Sequence, residues 1–194
     1  MPEPLKEKDL LAVDWSRIPA PPNDGATEHL AGMRLPAITL AATDGRSIDL
    51  STLPGRTVVY TYPMTGRPGV ALPEGWDMIP GARGCTPQSC AFRDHFAELL
   101  AAGAAHVFGL STQDTAYQRE AADRLHLPFP LLSDESLALT RALRLPTLAV
   151  EGRTLLARSA SIADEGRITH VLYPVFPPDR NAGDVLAWLK AHPR

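Results

Sequence analysis

Thr57-Val58-Val59-Tyr60-Thr61-Tyr62 is the stretch of this sequence that decides its fold. Its β-branched and aromatic residues predict a buried central strand. Residues 63–84, which follow, are rich in glycine and proline and predict a long loop. Structureless loops of that length are uncommon and usually functional. A helix is predicted after the loop, with Thr86 as its N-cap, Pro87 in its first helical position and Gly103 just beyond its end.

The rest of the chain alternates strands and helices around that strand. Four side chains at helical spacing predict one buried face of the helix after the loop: Phe92, Phe96, Leu99 and Leu100. An Asp-Gly turn predicts a hairpin of residues 38–40 and 47–50. The remaining predicted elements are strand 107–110, helices 115–125 and 135–143, strands 147–162 and 168–173, and a last helix, 184–191. This order predicts an α/β domain of three layers, with a central mixed sheet and an N-terminal hairpin.

Composition and charge exclude several classes of function. The chain has 194 residues, of which 44% are hydrophobic and 21% are charged, and its net charge is -3; these values suit one globular domain. No long basic run indicates nucleic-acid binding, and no apolar stretch approaches the roughly 20 residues of a membrane helix.

The sequence also predicts a division of the chain. We expect residues 1–30 to form an N-terminal extension, with one or two helical turns in residues 5–15. Residues 31–194 are expected to form the domain itself, with an insertion that covers about residues 64–84. Because the N-terminus lacks the apolar segment of a secretory signal, we expect a cytoplasmic location.

Two cysteines, Cys85 and Cys90, carry the chemistry that the sequence predicts. Cys85 stands just before the predicted helix, where unpaired N–H groups and the helix dipole stabilise a thiolate, the nucleophilic form of the side chain. The alternative for Cys85 is a small buried hydrophobic residue without reactivity. Cys90 points away from the face that carries Phe92, so we expect it to lie outside the core. It is either a redox partner of Cys85 or a partly exposed residue without a function.

A disulfide between the two cysteines conflicts with helical geometry. Five residues of α-helix rise about 7.5 Å and place the two side chains on different faces. A disulfide needs Cα atoms roughly 4.4–6.8 Å apart. We therefore expect residues 86–91 to be helical in the reduced protein and locally unfolded in the oxidised protein.

Residues 84–94, Gly-Cys-Thr-Pro-Gln-Ser-Cys-Ala-Phe-Arg-Asp, resemble the Gly-Cys-Thr-x-x-x-Cys-x-Phe-Arg-Asp stretch of Q-type (bacterioferritin comigratory) peroxiredoxins. These proteins form a branch of the alkyl hydroperoxide reductase/thiol-specific antioxidant superfamily. Weaker similarity covers most of residues 30–190, including residues 127–134 and Arg158, eight residues before Gly166. The resemblance implies a thioredoxin-like fold in which Cys85 is peroxidatic, Cys90 is resolving and Arg158 holds the thiolate and the peroxide.

The same resemblance implies a thioredoxin-dependent hydroperoxide reductase with no metal or other cofactor. Hydrogen peroxide or an organic hydroperoxide would oxidise Cys85 to a sulfenic acid, and Cys90 would resolve it as an intramolecular disulfide. A dithiol protein such as thioredoxin would then reduce that disulfide. The protein would be a monomer or a weak dimer. The residues alone equally allow Arg158 to be a solvated strand arginine.

One departure from the family pattern affects the peroxide pocket. The family carries Pro, three residues, Thr, two residues and then the reactive Cys. Here Pro63 lies far upstream, and Ala82 stands where that Thr is expected. Pro63, Thr65 and Thr86 are therefore the candidate substrate-binding residues. Whether Thr65, Thr86 or neither supplies the missing hydroxyl stays open.

An insertion at residues 70–84 splits the pocket loop. It includes two large apolar residues, Trp76 and Met78. The insertion either covers the pocket and restricts its substrates or is a surface embellishment of the loop.

Other chemistries fit the sequence less well. Two cysteines give too few ligands for a structural zinc site, even if His170 approaches them in space. A thioredoxin-type exchanger prefers a C-x2-C spacing, and a phosphatase-type C-x5-R loop needs an arginine where Ala91 stands. A Cys–His hydrolase lacks support from a nearby His or Asp. A non-catalytic redox sensor or thiol–disulfide exchange protein on the same fold is the remaining alternative, and turnover with a recycling dithiol distinguishes a sensor from an enzyme.

Overall fold

The computed structural model describes Lys6 and residues 10–194 of the chain. Its strands are β1 Thr39–Ala42, β2 Ser47–Asp49, β3 Arg56–Thr61, β4 Ala104–Ser111, β5 Leu131–Ser133, β6 Thr147–Val150, β7 Arg153–Leu156, β8 Ser159–Asp164 and β9 Arg167–Leu172. Seven of them form one sheet in the order β2-β1-β5-β4-β3-β8-β9, and β6 and β7 form a separate hairpin. Strand β4 runs parallel to β3 and β5, whereas the other neighbours in the sheet are antiparallel. The predicted central mixed sheet is therefore present.

Helices cover both faces of this sheet. They are α1 Cys85–Asp94, α2 Phe96–Ala101, α3 Thr115–Arg124, α4 Ala138–Leu143 and α5 Asn181–Ala191. Because side chains alternate along a strand, Val58 and Tyr60 of β3 pack in one core cluster with α1, α2 and α5. Val59 packs in a second cluster with α4. The three-layer α/β architecture predicted from the sequence, with its N-terminal hairpin of β1 and β2, is confirmed.

The helix predicted after the long loop begins and ends differently. Gly84, not Thr86, is its N-cap, and Cys85 is its first residue. Gly84 has a φ of 107°, a left-handed conformation that glycine adopts without strain, so the helix can begin one residue earlier than predicted. The helix also breaks at His95, where the backbone leaves the helical region. The turn after that break leaves Leu100 41% exposed, so the predicted face that included Leu100 is wrong at that residue.

Two later elements differ from the prediction for local reasons. Residues 147–162 are not one strand, because Glu151 and Gly152 both have positive φ angles and reverse the chain between β6 and β7. Helix α4 begins at Ala138 rather than at residue 135. The buried Asp134 carboxylate accepts hydrogen bonds from the first turn of that helix, at Leu139 N (3.0 Å) and Thr140 N (2.7 Å). A carboxylate at a helix start satisfies unpaired N–H groups and fixes where the helix begins.

Residues 10–30 lie against the domain. Leu10 and Leu30 are buried, and the indole of Trp15 donates a hydrogen bond to Asp179 Oδ2 at 3.0 Å. Of the helical turns predicted for residues 5–15, residues 5 and 7–9 lie outside the described residues. Leu10 and Leu11 are helical, residues 12–14 are not, and Trp15–Arg17 forms a short 3₁₀ helix. The division into an extension and a domain with an insertion stays a prediction. Among the described residues, no helix is both long enough and apolar enough to cross a membrane.

Candidate active site

Cys85 lies where the sheet topology places a binding site. Strands β3 and β4 run in parallel to the same edge of the sheet, and α1 starts beyond that edge after the long loop of residues 63–84. In open α/β sheets, ligands bind outside the carboxyl ends of the parallel strands. Cys85 is only 3% exposed, and it begins a ten-residue helix, whose free N–H groups and dipole favour an anion at this position.

The sulfur of Cys85 has two hydrogen-bond donors directed at it. The backbone N–H of Met64 lies 3.4 Å from Sγ, and Nη2 of Arg158 lies 3.3 Å from Sγ. A protonated Cys85 can itself donate to Ala82 O, at 3.6 Å. Donors directed at a sulfur stabilise the thiolate more than the thiol. Two donors and one acceptor therefore lie around the sulfur of Cys85.

Arg158 is a buried cation, not a solvated strand arginine. It is 2% exposed and lies between β7 and β8, beside the loop before α1. Its Nη2 donates to three backbone carbonyls at 3.1–3.3 Å, those of Gly81, Ala82 and Arg83. The same nitrogen faces the sulfur of Cys85, so the three carbonyls share its hydrogens with that sulfur and help to fix the plane of the guanidinium.

No carboxylate within the described part of the chain balances the charge of Arg158. Its other partners are the side-chain oxygen of Gln88 and the sulfur of Cys85, and it takes part in none of the ion pairs. A buried charge without an opposite charge is costly. The sulfur of Cys85, 3.3 Å from Nη2, is the atom beside this guanidinium that carries a negative charge in the thiolate form.

Gln88 and Asn181 extend this arrangement and were missed by the sequence reasoning. Gln88 accepts a hydrogen bond from Arg158 Nη1 and donates from Nε2 to Asn181 Oδ1 at 2.9 Å. Both residues are fully buried. Gln88 stands three residues after Cys85, on the same face of α1, and that spacing could have indicated it. Nothing in the sequence could have indicated Asn181, because it comes from the distant start of α5.

Cys90 is buried in the same helix, although it was expected off the core. It is 9% exposed, and burial raises the pKa of its thiol above the ordinary value of 9.0, while the nearby Arg93 and Arg124 partly oppose that rise. Cys90 therefore remains a protonated thiol near neutral pH. Helical spacing places Cys90 away from Phe92, but it does not indicate which residues pack on that other side of the helix.

The two thiols are free, and residues 86–91 are helical, as expected for the reduced protein. On that helix the cysteines are about 7.5 Å apart along the axis and face different directions. The unfolding of these residues in an oxidised protein stays a prediction. Almost the whole helix is buried, from Cys85 to Cys90 and again at Phe92, so unwinding it would expose apolar surface.

The three candidate substrate residues are placed differently. Pro63 is buried and precedes Met64, whose N–H points at Cys85. Thr86 lies in the wall of the cavity at Cys85, and Thr65 does not. The backbone N–H of Thr65 donates a hydrogen bond to Gln113 Oε1 at 3.2 Å, and its carbonyl oxygen accepts one from the Tyr117 hydroxyl at 2.7 Å. Of the two hydroxyls considered, only that of Thr86 belongs to a residue that lines the cavity.

Residues 70–84, which were predicted to be an insertion, place Trp76 at the cavity beside Cys85 and leave Met78 at the surface. Trp76 is 3% exposed and lines the cavity at Cys85 together with Leu72 and Leu10. Met78, the other large residue singled out, is 67% exposed and does not line the cavity. The cavity that remains has a volume of about 10 Å³, at the lower limit of the space that one water molecule needs.

Among the rival chemistries, the structure bears on the metal site and on His170. Within them, no group of three or more His, Cys, Asp and Glu side chains could hold a metal ion. His170 stacks on Trp188, with ring centroids 4.8 Å apart, and burial lowers its pKa below the ordinary value of 6.5.

The site combines a thiol at a helix start with a buried arginine at the edge of a mixed sheet. This arrangement is typical of thiol-dependent redox proteins, and comparison with known families agrees. The family described as Redoxin matches residues 30–186, which is well over half of the chain. The chain belongs to this family.

Relatives define the branch within it. Peroxiredoxin Q from Oryza sativa subsp. japonica, a chloroplastic protein, is 34% identical over 162 residues, which cover 82% of this chain and 66% of the relative. A solved structure of Xanthomonas campestris peroxiredoxin Q has a TM-score of 0.64 and 26% identity, and the match covers 84% of this chain and 98% of that one. A structure of the bacterioferritin comigratory protein from the same species, studied for its alkyl peroxide reduction activity, has the same TM-score, 0.64, with 25% identity over 84% of this chain and 98% of that one. The chain is a Q-type peroxiredoxin with a thioredoxin-like fold, and it spans about two thirds of the length of its rice relative.

Proposed function

We propose that this protein is a thiol peroxidase that reduces hydrogen peroxide and organic hydroperoxides through Cys85. The observation that carries the proposal is the placement of Arg158 Nη2 and Met64 N within 3.4 Å of the Cys85 sulfur. These two donors, one of which belongs to an uncompensated cation, contact a residue that has to be ionised to react. The membership in the Q-type branch supports the same chemistry.

The first step transfers one oxygen atom to sulfur. The Cys85 thiolate attacks one oxygen of the peroxide, an S–O bond forms and the O–O bond breaks. The released oxygen leaves as an alkoxide or hydroxide and takes up a proton, which gives an alcohol or water. The sulfur becomes a sulfenic acid. Arg158 stabilises the negative charge that passes from sulfur to the leaving oxygen, and Thr86 supplies the hydroxyl that orients the peroxide.

The second step resolves the oxidised sulfur. Residues 86–91 unwind, Cys90 attacks Sγ of Cys85, the S–S bond forms, and the S–O bond breaks with loss of water. A dithiol reductant such as thioredoxin then attacks this disulfide and is itself oxidised, which returns both thiols. Sulfur carries the electrons throughout, so the cycle requires no metal or other cofactor. A reducing compartment such as the cytoplasm supplies that dithiol, and we expect a monomer or weak dimer.

The decisive experiment is peroxide consumption in the presence of a thioredoxin system. We expect many equivalents of peroxide to be consumed by the wild type and none by Cys85→Ser. The Cys90→Ser variant is expected to form a sulfenic acid at Cys85, detected with a dimedone reagent, but no intramolecular disulfide. Equal consumption by the wild type and Cys85→Ser would refute the proposal. Consumption that stops near one equivalent despite excess reductant would instead indicate a redox sensor.

A further inference from the structure

Three apolar side chains close the space over the reactive sulfur. Leu10, Leu72 and Trp76, which we call the lid, line the cavity at Cys85. Leu10 is 4% and Trp76 is 3% exposed. The lid offers only hydrocarbon and aromatic ring to the cavity beside it, so it acts on a substrate chiefly through shape.

The lid lies directly on the backbone of the pocket. A Cβ atom added at Gly66 would stand 2.6 Å from Cδ2 of Leu10 and 3.4 Å from Cδ2 of Leu72. Non-bonded carbon atoms do not approach to 2.6 Å, so any side chain at position 66 would collide with Leu10. Glycine at this position therefore allows Leu10 to pack against the backbone of the pocket. The small cavity is therefore a consequence of close packing by named side chains.

Leu10 is held there by the segment that follows it. A Cβ atom at Gly84, just before Cys85, would stand 2.7 Å from both Trp15 and Pro178, so the Trp15 ring lies on the start of α1. Trp15 is fixed by its hydrogen bond to Asp179 and by an edge-on contact with Phe176, with ring centroids 6.1 Å apart.

The same segment is held a second time farther along. Asp24 accepts a hydrogen bond from the Tyr173 hydroxyl at 2.9 Å. Two anchors, at Trp15 and Asp24, thus fix the course of the segment that carries Leu10 past the reactive sulfur.

Part of the lid comes from outside the family match. That match begins at residue 30, so Leu10 and its anchor Trp15 precede it. The contribution of Leu10 to the restriction at Cys85 therefore comes from outside the matched range, whereas Leu72 and Trp76 lie within it.

We propose that the lid is a size filter that admits hydrogen peroxide to Cys85 more readily than bulky organic hydroperoxides. The proposal rests on the peroxidase function proposed above and adds a substrate preference to it. Hydrogen peroxide is little larger than water and needs only a small shift of the side chains around a cavity of about 10 Å³. A hydroperoxide with a branched or aromatic group has to displace Leu10 or Trp76 from buried positions, which raises its barrier selectively.

The test measures oxidation of Cys85 in a single turnover. In a Cys90→Ser background, the second-order rate constants of sulfenic acid formation are measured with hydrogen peroxide and with cumene hydroperoxide, by rapid quenching and dimedone trapping. We expect hydrogen peroxide to react at least tenfold faster than cumene hydroperoxide, about the discrimination that pocket shape provides. Leu10→Ala is expected to reduce this preference about tenfold, mainly by accelerating cumene hydroperoxide. Leu72→Ala, a change within a loop, is expected to act in the same direction.

Leu11→Ala is the matched control, because Leu11 is 44% exposed and does not line the cavity. It is expected to keep the preference of the parent. An unchanged preference in both Leu10→Ala and Leu72→Ala would overturn the size filter, as would a parent that oxidises equally fast with both peroxides. Equal acceleration of both peroxides by Leu10→Ala would also overturn it, since a filter acts on size. Absence of any Cys85 oxidation would refute the peroxidase function itself.

Discussion

Cys85 and Cys90 lie on one helix and are both buried, yet different groups face their sulfurs. At Cys85, a backbone N–H, a guanidinium and the helix start all face the sulfur. At Cys90, burial raises the pKa of the thiol, and the nearby Arg93 and Arg124 oppose that rise only in part. Burial is thus common to the two cysteines. We expect their reactivity to depend on how far the donors and cations at each sulfur compensate for the lost water.

The largest expected effect concerns the Cys85 side of this comparison. Arg158→Met removes the cation and is expected to lower the second-order rate constant of Cys85 oxidation by about 10²–10³-fold, as loss of a positioned donor does elsewhere. Arg158→Lys keeps the charge but loses the planar geometry that contacts Gln88 and the carbonyls, so an intermediate loss is expected. Stopped-flow measurement of peroxide reaction under single-turnover conditions gives these constants.

Arg141→Met is the control for this prediction, because Arg141 is exposed and bonds locally to Ser136 O. It is expected to react like the wild type. If Arg158→Met reacted within threefold of the wild type, the cation would not be what activates Cys85.

An effect of intermediate size is expected of pH on the rate of disulfide formation, which depends on Cys90. The pKa of Cys90 is raised in the folded helix, so this group stabilises the helical state below its ordinary pKa of 9.0. That stabilisation is lost as the pH rises from 9.0 through the folded-state pKa. Disulfide formation requires the Cys90 thiolate in an unwound segment, so its rate should increase about tenfold per pH unit between about pH 6 and 9. The decay of the sulfenic acid and the appearance of the disulfide, followed by rapid quenching and mass spectrometry, measure it.

A rate of disulfide formation that is constant over this pH interval would contradict the assigned role of Cys90. The oxidation of Cys85 in the Cys90→Ser variant serves as the internal control, since it reports the first step alone. The two profiles are expected to differ in shape, because different sulfurs control them.

The smallest expected effect concerns the helix that both cysteines share. Phe92 anchors α1 by stacking on Tyr60, with ring centroids 4.2 Å apart and planes at 8°. Phe92→Leu is expected to lower the free energy of unfolding by about 1–2 kcal/mol, as measured by urea denaturation. Because α1 then unwinds more readily, disulfide formation should accelerate by less than tenfold.

Phe96→Leu provides the comparison for this variant. Phe96 lies on α2, after the break at His95, and packs on Phe129 at 5.7 Å. It is expected to lower stability without changing the rate of disulfide formation. If both variants accelerated that step equally, unwinding of α1 would not be the equilibrium that precedes attack by Cys90.

Local sequence signals predicted much of the fold. The run of residues 57–62, the Asp-Gly hairpin and the helices at residues 115–125 and 184–191 were placed within a few residues of their observed bounds. These elements are set by alternation, turn residues and caps, which act over short distances. The errors occurred where backbone geometry depends on one position, as with the early helix start at Gly84 and the break at His95.

The candidate site was predictable only where its residues share one segment. The short spacing of Cys85 and Cys90, with Pro87 between them, indicated a reactive helix start directly. Arg158 was named only through the family resemblance, and Gln88 was overlooked although it lies in the same segment.

The sequence by itself determined the central strand, the presence of a helix after the long loop and the pair of thiols, because periodicity, turn residues and helix polarity are local properties. Only the tertiary structure decided which buried groups meet around the sulfur. Arg158 comes from the β7–β8 connection and Met64 N from the loop. Asn181 bonds to Gln88, and Leu10 lines the cavity at Cys85. These groups are far apart along the chain, and their effect on charge and access depends on distances of a few ångströms that no local pattern encodes.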